Sequence, residues 1–292
     1  MKSLVIVCLL EVVFGWWSTG HMLVAQIAQN VLQQENPEVL SIANQILSPL
    51  YGPLTHGISS SFVESAVWCD DIKSYNFDVY NNWHFIDKPY NYDGFANATT
   101  SGEDILFALS NSIWTLQSQN YSVAILETSI ALRYVLHFMG DYHQPLHVTN
   151  FWSRNFTQGD EGGNLFPITF DNQINELHAL WDSCMGVWAD DLPRPLNSDG
   201  WYNLNMWAEW CTGNNTKQDL ASELAIKELS LWQYDTYRIA IDYAYYGIKP
   251  NEKPSEEYLK RGWKIVLKQL ALGGYRLANL LISLFGQTSA LS

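Results

Sequence analysis

The residues best placed to do chemistry are His137-x3-Asp141-x5-His147, in the run HFMGDYHQPLH, and His178-x3-Asp182, in LHALWD. On a helix, positions four apart project from one face, so each His-x3-Asp pair brings an imidazole and a carboxylate to one point. Zinc favours that donor combination. A single pair of this kind is more often a surface ion pair. Two pairs, with His147 just past Pro145, point to a cluster of metal ions. Asp70 in WCDD and His84 in WHFID add two ligands of the same type.

The N-terminus supplies a different kind of ligand. Residues 1–15 have a basic start at Lys2, an apolar run from Leu4 to Leu10, and small residues ending at Gly15, the pattern of a secretory signal peptide. The run is too short to span a bilayer. Cleavage after Gly15 leaves Trp16 first, and a free α-amino group with its own carbonyl oxygen can chelate a metal. His21, five residues on, lies within reach of the same ion.

Trp16-x4-His21, WCDD, WHFID, HFMGDYHQPLH, GDEGGN at Gly159–Asn164, LHALWD and GGYRLANLL at Gly273–Leu281 occur in this order. Together they resemble the secreted, zinc-dependent, single-strand-specific nucleases of plants and fungi, the class I or mung-bean-nuclease type. The resemblance implies three zinc ions. Asp70, His84, His137 and Asp141 would hold one; His147, His178 and Asp182 a second; and the Trp16 amine and carbonyl with His21 and a bridging Asp141 the third. Lys73 stands where the family usually has Arg and would contact phosphate as a point charge. Phe85 and Asp87 match positions that stack on and hydrogen-bond a base, and stacking on an unpaired base selects single strands. Asn164 and its glycines either make a turn or let backbone approach substrate. The catalytic group would be Asp70, Asp141 and Lys73, with 5′-phosphate products. Single-stranded DNA and RNA and 3′-nucleotides are the implied substrates. The family usually has a small apolar residue at Cys69, which is therefore left free, and Cys184–Cys211 is the remaining disulfide option; the cysteine pair common after WHFID is missing.

The other histidines have plainer readings. His143 fits packing or support of a ligand, and His56, in LTHG, a loop.

Thirteen Trp, sixteen Tyr and twelve Phe provide for one large core, and no repeat or low-complexity stretch marks a second domain. Residues 16–292 are thus expected to form a single catalytic domain, monomeric, in the secretory pathway and destined for the exterior or a lysosome- or vacuole-like compartment. Asn97, Asn120, Asn155 and Asn214 are sequons suited to glycosylation there.

Helical spacing dominates after His21, from Val123 to Asp141, over Asp219–Tyr246 and over Ser255–Phe285. Pro250 and Pro254 separate the last two, and Ser255 is set to cap a helix. Leu220, Leu224, Trp263 and Leu270 are core candidates. Strand-like alternation is confined to Leu165–Phe170. The expected fold is all-α, a bundle around a trinuclear zinc cleft, as the resemblance implies for the phospholipase C and nuclease type.

A formal net charge of −14 opposes long-range attraction of nucleic acid, so any such substrate must be drawn by the local field of the metal cleft. Two rival functions share many features. A zinc-dependent phospholipase C has the same helical trinuclear plan but no reason for WHFID and GDEGGN. A secreted zinc-binding protein without activity would not need the full ligand set.

Overall fold

The computed structural model describes residues 16–50, 57, 59–75, 80–95, 97–100 and 102–286. The expected leader and His56 lie outside them. Ten α-helices follow one another: α1 (Ser18–Glu35), α2 (Pro37–Leu47), α3 (Trp68–Asp71), α4 (Ile105–Ser118), α5 (Ile125–Asp141), α6 (Leu177–Asp182), α7 (Ser198–Asn214), α8 (Ala221–Ala225), α9 (Leu229–Ile239) and α10 (Glu256–Phe285). The bundle is all-α in class, as expected. Its one sheet among the described residues is a parallel pair, β1 (Pro89–Asn91) with β2 (Asn150–Trp152), in register Tyr90 to Phe151.

Helices α1 and α5 are buried on all sides along part of their length: Thr19–Ala28 in α1 and Ala131–Asp141 in α5. Such a helix must be enclosed by others. α10 packs along α1, while α2 and α4 cover α5. Any polar residue on these inner stretches must find a partner, because burying it unpaired is costly. His21, Arg133, His137 and Asp141 are the basic and acidic residues there. The two Nη atoms of Arg133 donate to Ser65 Oγ and to the carbonyls of Ser59 and Leu47. The other three converge on the site described below.

Ser255 Oγ accepts the Tyr258 N–H at 3.1 Å and starts α10, with Glu256 and Glu257 in the favourable first turn. Leu220 and Leu270 are buried, and Leu224 and Trp263 pack against the core. All four sequon asparagines are exposed.

Three expectations are corrected. Leu165–Phe170 is not a strand: Leu165 and Phe166 donate to Asp160 and Gly163 in turns, and Pro167 has no N–H to extend its bridge with Glu176. Asp219–Tyr246 is not one helix. The chain runs extended at Ile226, whose carbonyl accepts the Trp232 indole at 2.8 Å, and a π-helical turn at Ala240–Ala244 follows α9. Cys184 and Cys211 are buried free thiols, not a disulfide; Cys184 sits in a left-handed turn (φ 56°) with its sulfur toward the Asp182 carbonyl. Cys69 is free, as expected.

The Trp181 indole donates to Tyr258 Oη at 3.0 Å, and that hydroxyl donates to the Ala244 carbonyl at 2.6 Å, tying α6, α10 and the π turn together. Tyr258→Phe leaves two buried groups unpaired and should cost about 1–3 kcal/mol in urea unfolding. A variant as stable as the native protein would show that water replaces the hydroxyl.

Candidate metal centre

Three groups of buried side chains place their ligand atoms close enough to hold ions: His21, His137 and Asp141; Asp70, His84 and His137; and His147, His178 and Asp182. Their sources are dispersed. The start of α1 supplies His21 and the short α3 supplies Asp70. A 3₁₀ turn at Asn81–His84 ends in His84, and the last turn of α5 carries His137 and Asp141. Beyond it, the 3₁₀ turn Pro145–Val148 holds His147, and α6 contributes His178 and Asp182.

Asp141 is central. Its Oδ2 lies 3.1 Å from His84 Nδ1 and 3.2 Å from His137 Nε2, and its Oδ1 lies 3.3 Å from His21 Nε2. Asp70 approaches His84 and His137 at 3.8 and 3.7 Å. Across the pocket His178 Nε2 is 3.1 Å from Asp182 Oδ2.

Backbone carbonyls fix which ring nitrogens remain available. His137, His147 and His178 each donate from Nδ1, to the carbonyls of Ala66 (2.6 Å), His84 (2.7 Å) and Gly162 (2.7 Å). Their Nε2 atoms are then lone-pair donors aimed into the pocket, the arrangement that supports metal-ligating histidines. The Nε2 atoms of His147 and His178 face each other at 3.1 Å. Two lone pairs that close repel unless a cation or a proton lies between them. Both ring nitrogens of His21 and Oδ1 of Asp141 are buried without a hydrogen-bond partner. The donor set and its unsatisfied atoms fit metal ions.

Without metal, protons on the histidines supply the positive charge that the carboxylates hold. Burial opposes ionisation of Asp70 and Asp141, yet Lys73 with the surrounding histidines holds Asp70 well below the usual carboxylate range, and the histidines do so for Asp141. Burial also opposes charge on His178, but the Asp182 carboxylate outweighs it and raises its pKa to about 9. At His84 burial and Lys73 act together and lower it to about 3.

Trp16 is buried and its indole donates to the Gly140 carbonyl at 2.9 Å, while the Trp17 N–H donates to the Asp182 carbonyl. These bonds seat the Trp16 side chain against the last turn of α5 and Trp17 against the end of α6. Lys73 Nζ is 2.9 Å from Asp70 Oδ1. Phe85 is half-buried but, unlike Trp83 and Ile86, is not packed against the core. Asp87 is pushed up to about 6 by burial and by Glu161. The Asn164 amide closes a turn onto the Glu161 carbonyl. His143 supports the structure: its Nδ1 donates to the Met139 carbonyl and its Nε2 accepts Arg276.

Four supporting residues escape a sequence reading focused on ligands. A Cβ on Gly140 would stand 2.6 Å from His21 Nδ1, so only glycine lets α1 and α5 come together there; its place beside Asp141 was the available signal. Gly162 has φ +64°, and its carbonyl orients His178, so the GDEGGN glycines bring backbone to a ligand. Gln144 donates to Asp182 Oδ1 at 2.6 Å. Asp191 accepts Ser18 Oγ and the Thr19 N–H, satisfying a free donor at the start of α1. A cavity of about 560 Å³ beside the clusters is lined by Trp17, Asp70, Asp191 and Arg194 among others.

A buried pocket of histidines and aspartates in an all-α bundle defines a metal-binding protein of the hydrolase kind. The S1/P1 nuclease family model matches residues 16–286, and the chain belongs to that family. It is 27% identical to Endonuclease 1 of Arabidopsis thaliana, over 99% of this chain and 93% of that protein. It is 26% identical to Nuclease S1 of Aspergillus oryzae, over 96% of each, and 27% identical to Nuclease P1 of Penicillium citrinum, over 94% of this chain and all of that one.

Gly140→Ala should displace His21 while preserving helicity, since alanine is the better helix former by about 1 kcal/mol. Metal content is expected to fall with the circular dichroism unchanged; an undiminished content would show that α1 can shift away. Asp160 offers a pH test. Burial raises its pKa to about 7 against hydrogen bonds from Phe151 N–H and Tyr245, and its Oδ2 is unpartnered. The unfolded chain ionises near 4. Stability from protonated Asp160 is thus complete below about pH 4 and lost as pH rises through about 7. In metal-free protein, Asp160→Asn should flatten the decline in urea midpoint between about pH 4 and pH 7. Parallel profiles would mean that Asp160 is already ionised.

Proposed function

We propose that this chain is a secreted zinc-dependent endonuclease that hydrolyses single-stranded DNA and RNA to 5′-phosphate products and also dephosphorylates 3′-nucleotides. The observation that carries this is the set of Nε2 lone pairs fixed by backbone carbonyls around Asp70, Asp141 and Asp182, in a chain of the S1/P1 nuclease family. Three zinc ions are assigned to Asp70, His84, His137 and Asp141; to His147, His178 and Asp182; and to Trp16, His21 and Asp141. Zinc bound there would make water nucleophilic and neutralise charge on the phosphoryl group.

The chain's own residues supply position. Asp141, shared by two groups, sets their separation. Lys73, held by Asp70, presents one positive charge to phosphate. Phe85 offers a ring face free of the core, and Asp87 hydrogen-bonds the base that stacks on it. Asn164, with its amide committed to the turn, offers its carbonyl oxygen. The enzyme is read as a monomer of one domain, residues 16–292, matured by removal of residues 1–15 and delivered outside the cell or to a lysosome- or vacuole-like compartment.

Protein secreted from its own leader, prepared without chelator, should contain three zinc ions by X-ray fluorescence and cleave single-stranded DNA, RNA and 3′-AMP. One zinc or none, or hydrolysis of phosphatidylcholine instead, would overturn the proposal. Phe85→Ala should raise KM on single-stranded DNA with zinc retained, since stacking contributes roughly 1–3 kcal/mol per base.

A further inference from the structure

We infer that Lys88 and Tyr234 form a second nucleotide-binding station for the single-stranded substrate, next to the base site of Phe85 and Asp87. Lys88 Nζ contacts the phosphate and the Tyr234 ring stacks the base. This rests on the nuclease reading above and extends it along the strand.

Lys88 follows directly on the site. Its N–H donates to the Ile86 carbonyl at 2.8 Å, which turns the chain at Asp87, and only Ile86 and Asp87 separate it from Phe85, a reach of at most about 11 Å. The ammonium is held between two rings of α9, 4.5 Å from the Tyr237 centroid and 5.4 Å from that of Tyr234. Tyr237 is itself fixed, its hydroxyl donating to the Pro89 carbonyl at 2.7 Å. The two tyrosines therefore localise a positive charge that a free lysine would spread over many rotamers.

That charge has no acid to neutralise it. Among the described residues no carboxylate lies within ion-pair distance of Lys88, whereas eight other Lys and Arg side chains have one, including Arg238 on the same helix with Asp242. In a chain of net charge −14, an uncompensated cation one residue from Asp87 suits an anionic ligand. Tyr234 is 50% exposed, so its ring is available to a base. Fixed cation and exposed ring side by side are what a sequence-tolerant single-strand site requires.

The alternative is that the cation–π pair only pins α9 to β1. The measurement that separates them is the ratio of kcat/KM on a single-stranded DNA decamer to that on a 3′-mononucleotide. Tyr234→Ala and Lys88→Gln should each lower this ratio about fivefold, and Lys88→Arg should keep most of it. Lys88→Gln should also make the salt dependence of decamer binding shallower, by about 0.7 in the log–log slope for one lost phosphate contact. Unchanged ratio and slope, or equal losses on both substrates, overturn the station while leaving the nuclease reading intact. A zinc-loaded native protein that cleaves neither substrate overturns that reading and this inference with it.

Discussion

Everything in this molecule depends on aspartates buried among histidines in one pocket. Asp70, Asp141 and Asp182 are almost fully buried. A buried carboxylate is tolerated only when cations or donors compensate it. Here the compensation is a ring of imidazoles whose outer nitrogens are tied to the carbonyls of Ala66, His84 and Gly162. Those three hydrogen bonds decide tautomer and orientation together. They also couple the site to the fold, because each carbonyl belongs to a segment far from its histidine in the chain.

That coupling explains why α1 and α5 lie at the centre. Helices that carry His21, His137 and Asp141 on enclosed stretches must be wrapped on all sides, which α2, α4 and α10 accomplish with apolar side chains. Close approach at Gly140 lets the His21 and His137 rings stack at 3.9 Å. The bundle thus serves as insulation: the lower its polarity, the stronger each charge interaction inside it.

Outside the pocket the balance reverses. The surface is acidic, and most exposed cations are neutralised by neighbouring carboxylates. Attraction for a polyanion is therefore local, confined to the cleft and the few positive charges left beside it. Aromatic rings rather than charge density would then supply most of the grip on a strand, a mode indifferent to base identity.

The pairing of His137 with Asp141 and of His178 with Asp182 was legible from sequence because helical periodicity turns His-x3-Asp into a geometric statement, and each pair does meet on one helix. The long α10 and its cap at Ser255 were legible because local propensity and capping decide them. Asp70 and His84 could be nominated only by residue type and by family resemblance, since no periodicity links α3 and a 3₁₀ turn to α5. Tertiary structure alone decided the rest. Leu165–Phe170 has strand-like alternation, yet its donors are taken by turns that serve Gly162 and Asp160. Asp219–Tyr246 has helical composition, yet Trp232 captures the Ile226 carbonyl and splits it. Gln144, Asp191 and Lys88 carry no local signal, because their partners lie on other elements. Sequence specifies what a residue can donate, accept or ligate; only the packed chain determines which atom stands within 3 Å to receive it.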